Sequence, residues 1–148
     1  MKQAFAAFAL ALASACGPNP YVGTWQVSSG TFTMTCGSQS TTSQENGNVT
    51  VTQGASSALE VVGNSCDLQF ADSSGTATLS PGQTCATSGT DANGNPFTAT
   101  ETYSSGSIST VDGKIASLAL AGSVLVTDQG QSITCTTQTS ENLTKVGN

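Results

Sequence analysis

The sequence predicts an all-β domain, an antiparallel meander closing into an up-and-down barrel of about eight strands, with a β-sandwich as the alternative packing. Three observations predict it. Apolar residues alternate with Thr, Ser and Gln at period two across much of residues 23–148, as expected of strands with one buried face. Turn formers break that pattern at short intervals, among them Asp72-Ser73-Ser74-Gly75, Asn93-Gly94, Asp112-Gly113 and Asp128-Gln129-Gly130. No segment joins a helix cap to a sustained 3.6-residue period.

Taken in order, Thr24-Trp25-Gln26-Val27 and Thr31 to Cys36 both alternate, but the apolar positions are odd in the first and even in the second. A bulge at Ser28-Ser29-Gly30 reconciles them as one bent strand. Val49 and Val51 alternate with Thr50 and Thr52, and Leu59, Val61 and Val62 make a short apolar strand. Cys66, Leu68 and Phe70 lead through the turn at residues 72–75 to Ala77 and Leu79, a hairpin that Pro81-Gly82 ends. Residues 86–95 read as loop. Strand character returns at Phe97, Ala99 and Tyr103, then at Ile108 and Val111. Residues 114–126 read as a long strand bent at Gly122, although Ile115, Leu118 and Ala119 also fit a helical spacing. Ser132 to Thr136 begins the last strand region, which Leu143 and Val146 close.

Charge narrows the function classes. Charged residues are 8% of the chain, there is no His, and the formal charge of −6 becomes −7 once Lys2 is removed with a leader. With only Lys114 and Lys145 as basic groups in the remainder, neutralisation of nucleic-acid phosphates is excluded. The missing His removes Ser-His-Asp and Cys-His catalysis. Glu45, Glu60, Asp67, Asp72, Glu101, Asp112 and Glu141 allow a carboxylate pair only if the fold brings two together. Residues 91–95, Asp-Ala-Asn-Gly-Asn, have D-x-N-x-N spacing, but Pro96 and Thr102 replace the Gly and Glu of an EF-hand loop. A plain hairpin loop is expected there, and no cofactor, metal or catalytic residue is predicted.

Glu101 shares the alternating face of Phe97, Ala99 and Tyr103. If that face points inward, the carboxylate needs a partner or marks a polar pocket. If the faces are reversed, it is a solvated charge.

The N-terminus has the grammar of an export signal: Lys2, an apolar run from Ala4 to Ala13, then Ser14-Ala15-Cys16. The run is shorter than the roughly 20 residues needed to span a bilayer. Ala13-Ser14-Ala15 suits ordinary signal peptidase, which would secrete a soluble protein. The same residues with Cys16 resemble a bacterial lipobox, with Ala13 where that pattern favours Leu. The resemblance implies a signal peptide at 1–15, a palmitate-type lipid anchor on Cys16 and a tether at 16–22. It also implies membrane attachment in the cell envelope, and Gly17 after the Cys points to the outer membrane.

Five cysteines leave one unpaired. Cys16 is the natural odd one, and Cys36, Cys66, Cys85 and Cys135 allow three pairings in an oxidising compartment. If the first and last strands pair with Thr24 opposite about Lys145, Cys36 falls opposite about Ile133. That favours Cys36 with Cys135, leaving Cys66 with Cys85. Without His or a C-x-x-C spacing, the four fit a zinc site poorly.

Gly23-Thr24-Trp25 resembles the G-x-W signature of lipocalins and of related bacterial barrels, including periplasmic metalloprotease inhibitors. The resemblance implies a lipocalin-like barrel over residues 23–148, with Trp25 plugging its floor. Lys145 is the candidate for the basic residue that the family stacks on this Trp. The expected function is a non-enzymatic envelope lipoprotein that binds a small apolar ligand inside the barrel. Trp25, Phe32, Met34, Phe70, Phe97 and Tyr103 are the expected lining. The alternative is a protein-binding module, a protease inhibitor or an adhesion or structural surface domain, acting through its loops.

Overall fold

A computed structural model describes residues 19–54, 58–63, 66–73, 75–91 and 93–148, so the expected signal peptide and Cys16 lie outside the described residues. The described chain is ten strands: β1 (Gly23–Cys36), β2 (Gln39–Glu45), β3 (Asn48–Gln53), β4 (Leu59–Val62), β5 (Asp67–Ser73), β6 (Thr76–Leu79), β7 (Thr84–Thr90), β8 (Pro96–Thr110), β9 (Ile115–Asp128) and β10 (Gln131–Gly147). Every pairing is antiparallel. The neighbours run β1-β3-β4-β5-β6-β8-β9-β10, and β10 returns to β1, closing an eight-stranded lipocalin-like barrel. β2 and β7 stand outside that circuit, paired to β1 and β8 respectively.

The strands differ in length, and this shapes the molecule. β1, β8, β9 and β10 have 14 to 17 residues while β4 and β6 have four. The long strands therefore continue past the short wall as a flare, in the order β2-β1-β10-β9-β8-β7. Two positions let them bend. At Ser28 the β1–β10 register slips between Val27 and Ser29, which is where the apolar parity changes. On β8 the register slips between Tyr103 and Ser105 opposite Gly122. A Cβ on Gly122 would lie 2.4 Å from the Thr102 carbonyl oxygen, so glycine permits this close approach of β9 to β8.

Two segments differ from the sequence expectation. β2, Gln-Ser-Thr-Thr-Ser-Gln-Glu, carries no apolar residue to signal a strand, and most of β7 overlaps residues 86–95 read as loop. Each is an edge strand paired on one side, so backbone hydrogen bonding holds it with little burial. Val111, read as strand, is fully exposed in the β8–β9 turn. Residues 115–128 are strand, not helix.

The lower barrel is solid. Tyr21, Trp25, Leu59, Phe70, Ile108 and Leu143 are completely buried and Val51 nearly so. Asn19–Val22 crosses beneath these residues, tied by Asn19 Nδ2 to Asp72 Oδ2 at 2.9 Å. Tyr21, placed in the tether by the sequence, is thus part of the floor. Trp25 Nε1 donates to the Tyr21 carbonyl at 2.8 Å, and Lys145 Nζ sits 5.4 Å from the centroid of the Trp25 ring. A Cβ on Gly23 would come within 2.6 Å of Lys145 Cε and 2.4 Å of the Gly147 oxygen. Only glycine lets the first and last strands meet over the tryptophan at its φ of +141°.

Two disulfides tie the open end. Cys36 bonds Cys135 across β1 and β10, with their Cα atoms 4.3 Å apart, and Cys66 bonds Cys85, joining the β4–β5 connection to β7. Gln83 fills the seam left where β6 stops. Its side-chain oxygen accepts from Gln69 N at 2.6 Å, its amide donates to the Gln69 carbonyl at 2.8 Å, and its own carbonyl accepts from Tyr103 N at 3.0 Å.

Candidate functional site

Above the packed floor the barrel is hollow. A chamber of about 270 Å³ opens toward the flare. Val61 and Leu68 line its short wall, Leu120, Val124, Ala99 and Tyr103 its long wall, and the Cys66–Cys85 bridge its rim. Period two on β8 directs Phe97, Ala99, Glu101 and Tyr103 to the inner face, and β7 adds only small inward groups, Cys85 and Thr87, opposite Glu101 and Ala99. Small residues facing large ones leave the space.

Glu101 lies on the chamber wall. Its Oε2 accepts a hydrogen bond from the Tyr103 hydroxyl at 2.8 Å and its Oε1 one from Thr137 Oγ1 at 2.7 Å. Thr137 is itself buried. Of the two orientations that the sequence left open, the inward one holds, and the carboxylate has its partners. Burial, and then the hydrogen bond to Glu101 and its charge, push the Tyr103 phenol well above its ordinary range. Tyr103 therefore stays a neutral donor at every physiological pH.

The six aromatic and Met residues expected to line a ligand site do not gather in one place. Trp25 and Phe70 have no exposed surface and belong to the packed floor. Tyr103 lines the chamber. Phe32 and Met34 face inward above it on β1, in register with Thr139 and Thr137, and Phe97 stands at the end of the flare opposite Asp128, all three half-buried. The aliphatic lining from Val61, Leu68, Leu120 and Val124 was not singled out in the sequence. Their period-two placement marks them as inward, but whether an inward residue meets a neighbour or empty space depends on the partners across the barrel.

A second carboxylate feature lies at the waist. Glu45 and Glu141 flank Gly30 from either side, with Glu45 Cβ and Glu141 Cγ 2.9 and 3.1 Å from where a Gly30 Cβ would stand. Glu141 Oε2 is buried without a hydrogen-bond partner, and burial first, then Glu45, hold its carboxyl above the usual range. Neither residue lines the chamber. A carboxyl whose folded pKa is raised stabilises the fold below its unfolded pKa and loses that contribution as pH rises through the folded value. Glu141→Gln is therefore expected to raise the unfolding free energy at pH 7 by no more than about 0.5 kcal/mol, because solvent screens this half-exposed group. The gain over wild type should shrink as the pH falls toward about 4, as followed by urea denaturation at both pH values.

The remaining sequence candidates resolve simply. Asp91 Oδ1 accepts from the backbone N–H groups of Asn93 and Asn95, each at 2.8 Å, which makes residues 91–95 a self-satisfied hairpin loop, Ala92 lying outside the described residues. Those bonds hold the Asp91 carboxyl below its usual range. Among the described residues no cluster of three metal-ligating side chains occurs. A larger hollow, about 380 Å³, lies on the outer face of the barrel, where Ser, Thr and Ala side chains of β1, β8, β9 and β10 form a shallow furrow with no charged group.

Comparison with known proteins adds little. No protein-family model matches the chain, and no curated protein matches it. Among solved structures, the chain is similar to a protein of unknown function of the DUF3598 family from Nostoc punctiforme PCC 73102. The identity is 10% and the TM-score 0.38, over 86% of this chain. This chain spans 48% of the length of that protein.

Proposed function

We propose that this protein is a non-catalytic binding protein of the cell envelope, which holds a small, mainly apolar ligand in the chamber at the open end of its barrel. The observation that carries this reading is the division of the interior into a packed floor and an aliphatic hollow with Glu101 and Tyr103 on its wall, the carboxylate braced from behind by buried Thr137. Ligand sites have that composition, and at about 270 Å³ the chamber falls just below their usual range of roughly 300–1,000 Å³, which suits a small ligand.

The anchor fits the same geometry. Cys16 precedes Asn19 by three residues, at most about 11 Å of extended chain. Asn19 is fixed to the floor through Asp72. Lipid on Cys16 would hold the floor toward the membrane and the open end away from it, accessible to ligand.

The test is displacement of a neutral fluorescent probe, N-phenyl-1-naphthylamine, by short alcohols. Wild-type protein is expected to enhance the probe's emission saturably. Ala99→Trp, which fills the chamber from β8, is expected to lower the affinity at least tenfold with little change in stability, because Ala99 faces open space. Equal probe binding by wild type and Ala99→Trp would contradict the proposal.

A further inference from the structure

The geometry points to a ligand that carries a protonated amine on its apolar body, with Glu101 as the group that receives it; this rests on the chamber being a binding site. Both hydrogen bonds that Glu101 accepts come from neutral hydroxyls, Tyr103 and Thr137, so they orient the carboxylate without neutralising it. A carboxylate has about four acceptor positions on its two oxygens, and these bonds use one on each. The others are free for a ligand, on a residue that lines the hollow.

Nothing in the described protein supplies the missing positive charge. The chain contains no His, and its described cations are Lys114 and Lys145. Both are at the floor end. Lys145 pairs in register with Trp25 and reaches the Pro20 carbonyl at 3.5 Å, and Lys114 lies in the β8–β9 turn beside Asp112. Glu101 is in register with Cys85 and Val124, at the opposite end of the barrel. A partly buried, oriented and unpaired carboxylate favours a cation from outside.

The walls decide which cation. A hard divalent metal takes six or more oxygen ligands, whereas the side chains lining this chamber offer one carboxylate, the Tyr103 and Thr87 hydroxyls, a disulfide and aliphatic carbon. An ammonium needs only one to three acceptors, and its alkyl part suits Val61, Leu68, Leu120 and Val124. An anionic ligand would meet Glu101 head-on, and the chain's net charge of −6 attracts cations and repels anions at longer range.

The test compares hexylamine, hexan-1-ol and hexanoate at pH 7 in displacing N-phenyl-1-naphthylamine from the full chain. A charge-assisted hydrogen bond to Glu101 predicts hexylamine about tenfold or more tighter than hexan-1-ol, with hexanoate the weakest. Glu101→Gln, which keeps the shape and removes the charge, is expected to abolish the amine preference, so that hexylamine and hexan-1-ol displace the probe alike. Equal affinity for amine and alcohol in wild type overturns the inference and leaves the chamber a site for apolar ligands. An amine preference that survives Glu101→Gln overturns the assignment to Glu101. Failure of all three compounds, hexan-1-ol included, overturns the chamber reading and this inference together. The wild-type comparison stands even if Glu101→Gln does not fold.

Discussion

Replacing Trp25 with alanine is expected to cost about 3–5 kcal/mol of unfolding free energy, the range for removing a fully buried large aromatic. Three losses combine in that figure. The indole has no exposed surface and fills the base of the barrel, so truncation leaves a cavity bounded by strands that cannot collapse. Its Nε1 donor satisfies the Tyr21 carbonyl, which would be stranded in the floor. Its ring carries Lys145 at 5.4 Å, a contact worth roughly 0.5–1 kcal/mol where partly exposed. Trp25→Phe keeps most of the packing and loses the hydrogen bond, so its cost should be smaller, about 1–2 kcal/mol. Because Trp25 is the sole tryptophan, the variants are best followed by circular dichroism in urea. A loss below about 1 kcal/mol for Trp25→Ala would mean that the floor is not packed as described.

The second large effect is expected from the disulfides. Removing Cys36–Cys135 with paired alanine substitutions should cost about 4–5 kcal/mol, since the bond closes a loop with a sequence separation of 99. Removing Cys66–Cys85, with a separation of 19, should cost about 3 kcal/mol. The order follows from unfolded-chain entropy. A reversed order would show that contacts in the folded state, not loop length, dominate. The consequences for binding should run the other way, because Cys66 and Cys85 edge the chamber while Cys36 does not.

These two effects rest on features that the sequence exposes to different degrees. The change of apolar parity between Val27 and Phe32 locates the bulge at Ser28, because a strand can change its buried face only by adding a residue. The pairing of Cys36 with Cys135 follows from closing the first strand on the last. The assumed register was two residues off, with Gly147 rather than Lys145 opposite Thr24; the slips after Thr24 and at Ser28 cancel, so the same offset brings Cys36 to Cys135. β2 and β7 were illegible, since edge strands made mostly of Thr, Ser, Gln and other small or polar residues are held by backbone bonds that leave little mark on side-chain pattern. Tyr21 was read as tether because proline and asparagine around it resemble a linker, and only the barrel floor above it makes it core.

The candidate site was legible in part. Alternation placed Glu101 on one face with Phe97, Ala99 and Tyr103, but only the closed sheet shows that this face is the interior. The preference for aromatic residues as a ligand lining ran against the packing. Large side chains fill space, so Trp25 and Phe70 close the floor, and the hollow lies where Ala99, Thr87 and the cystine leave room beside Leu and Val. An opening is set by what is missing across the barrel, and a one-dimensional pattern does not encode that.

The most direct measurement of the central claim, a solid floor beneath a ligand chamber, is methyl-resolved NMR of the protein titrated with hexan-1-ol. Shifts are expected at Val61, Leu68, Leu120 and Val124, saturating together, while Leu59 and Leu143 in the floor stay silent. Shifts led by Leu59 and Leu143, or scattered over exposed Leu125, Ile133 and Val146 without saturation, would contradict it.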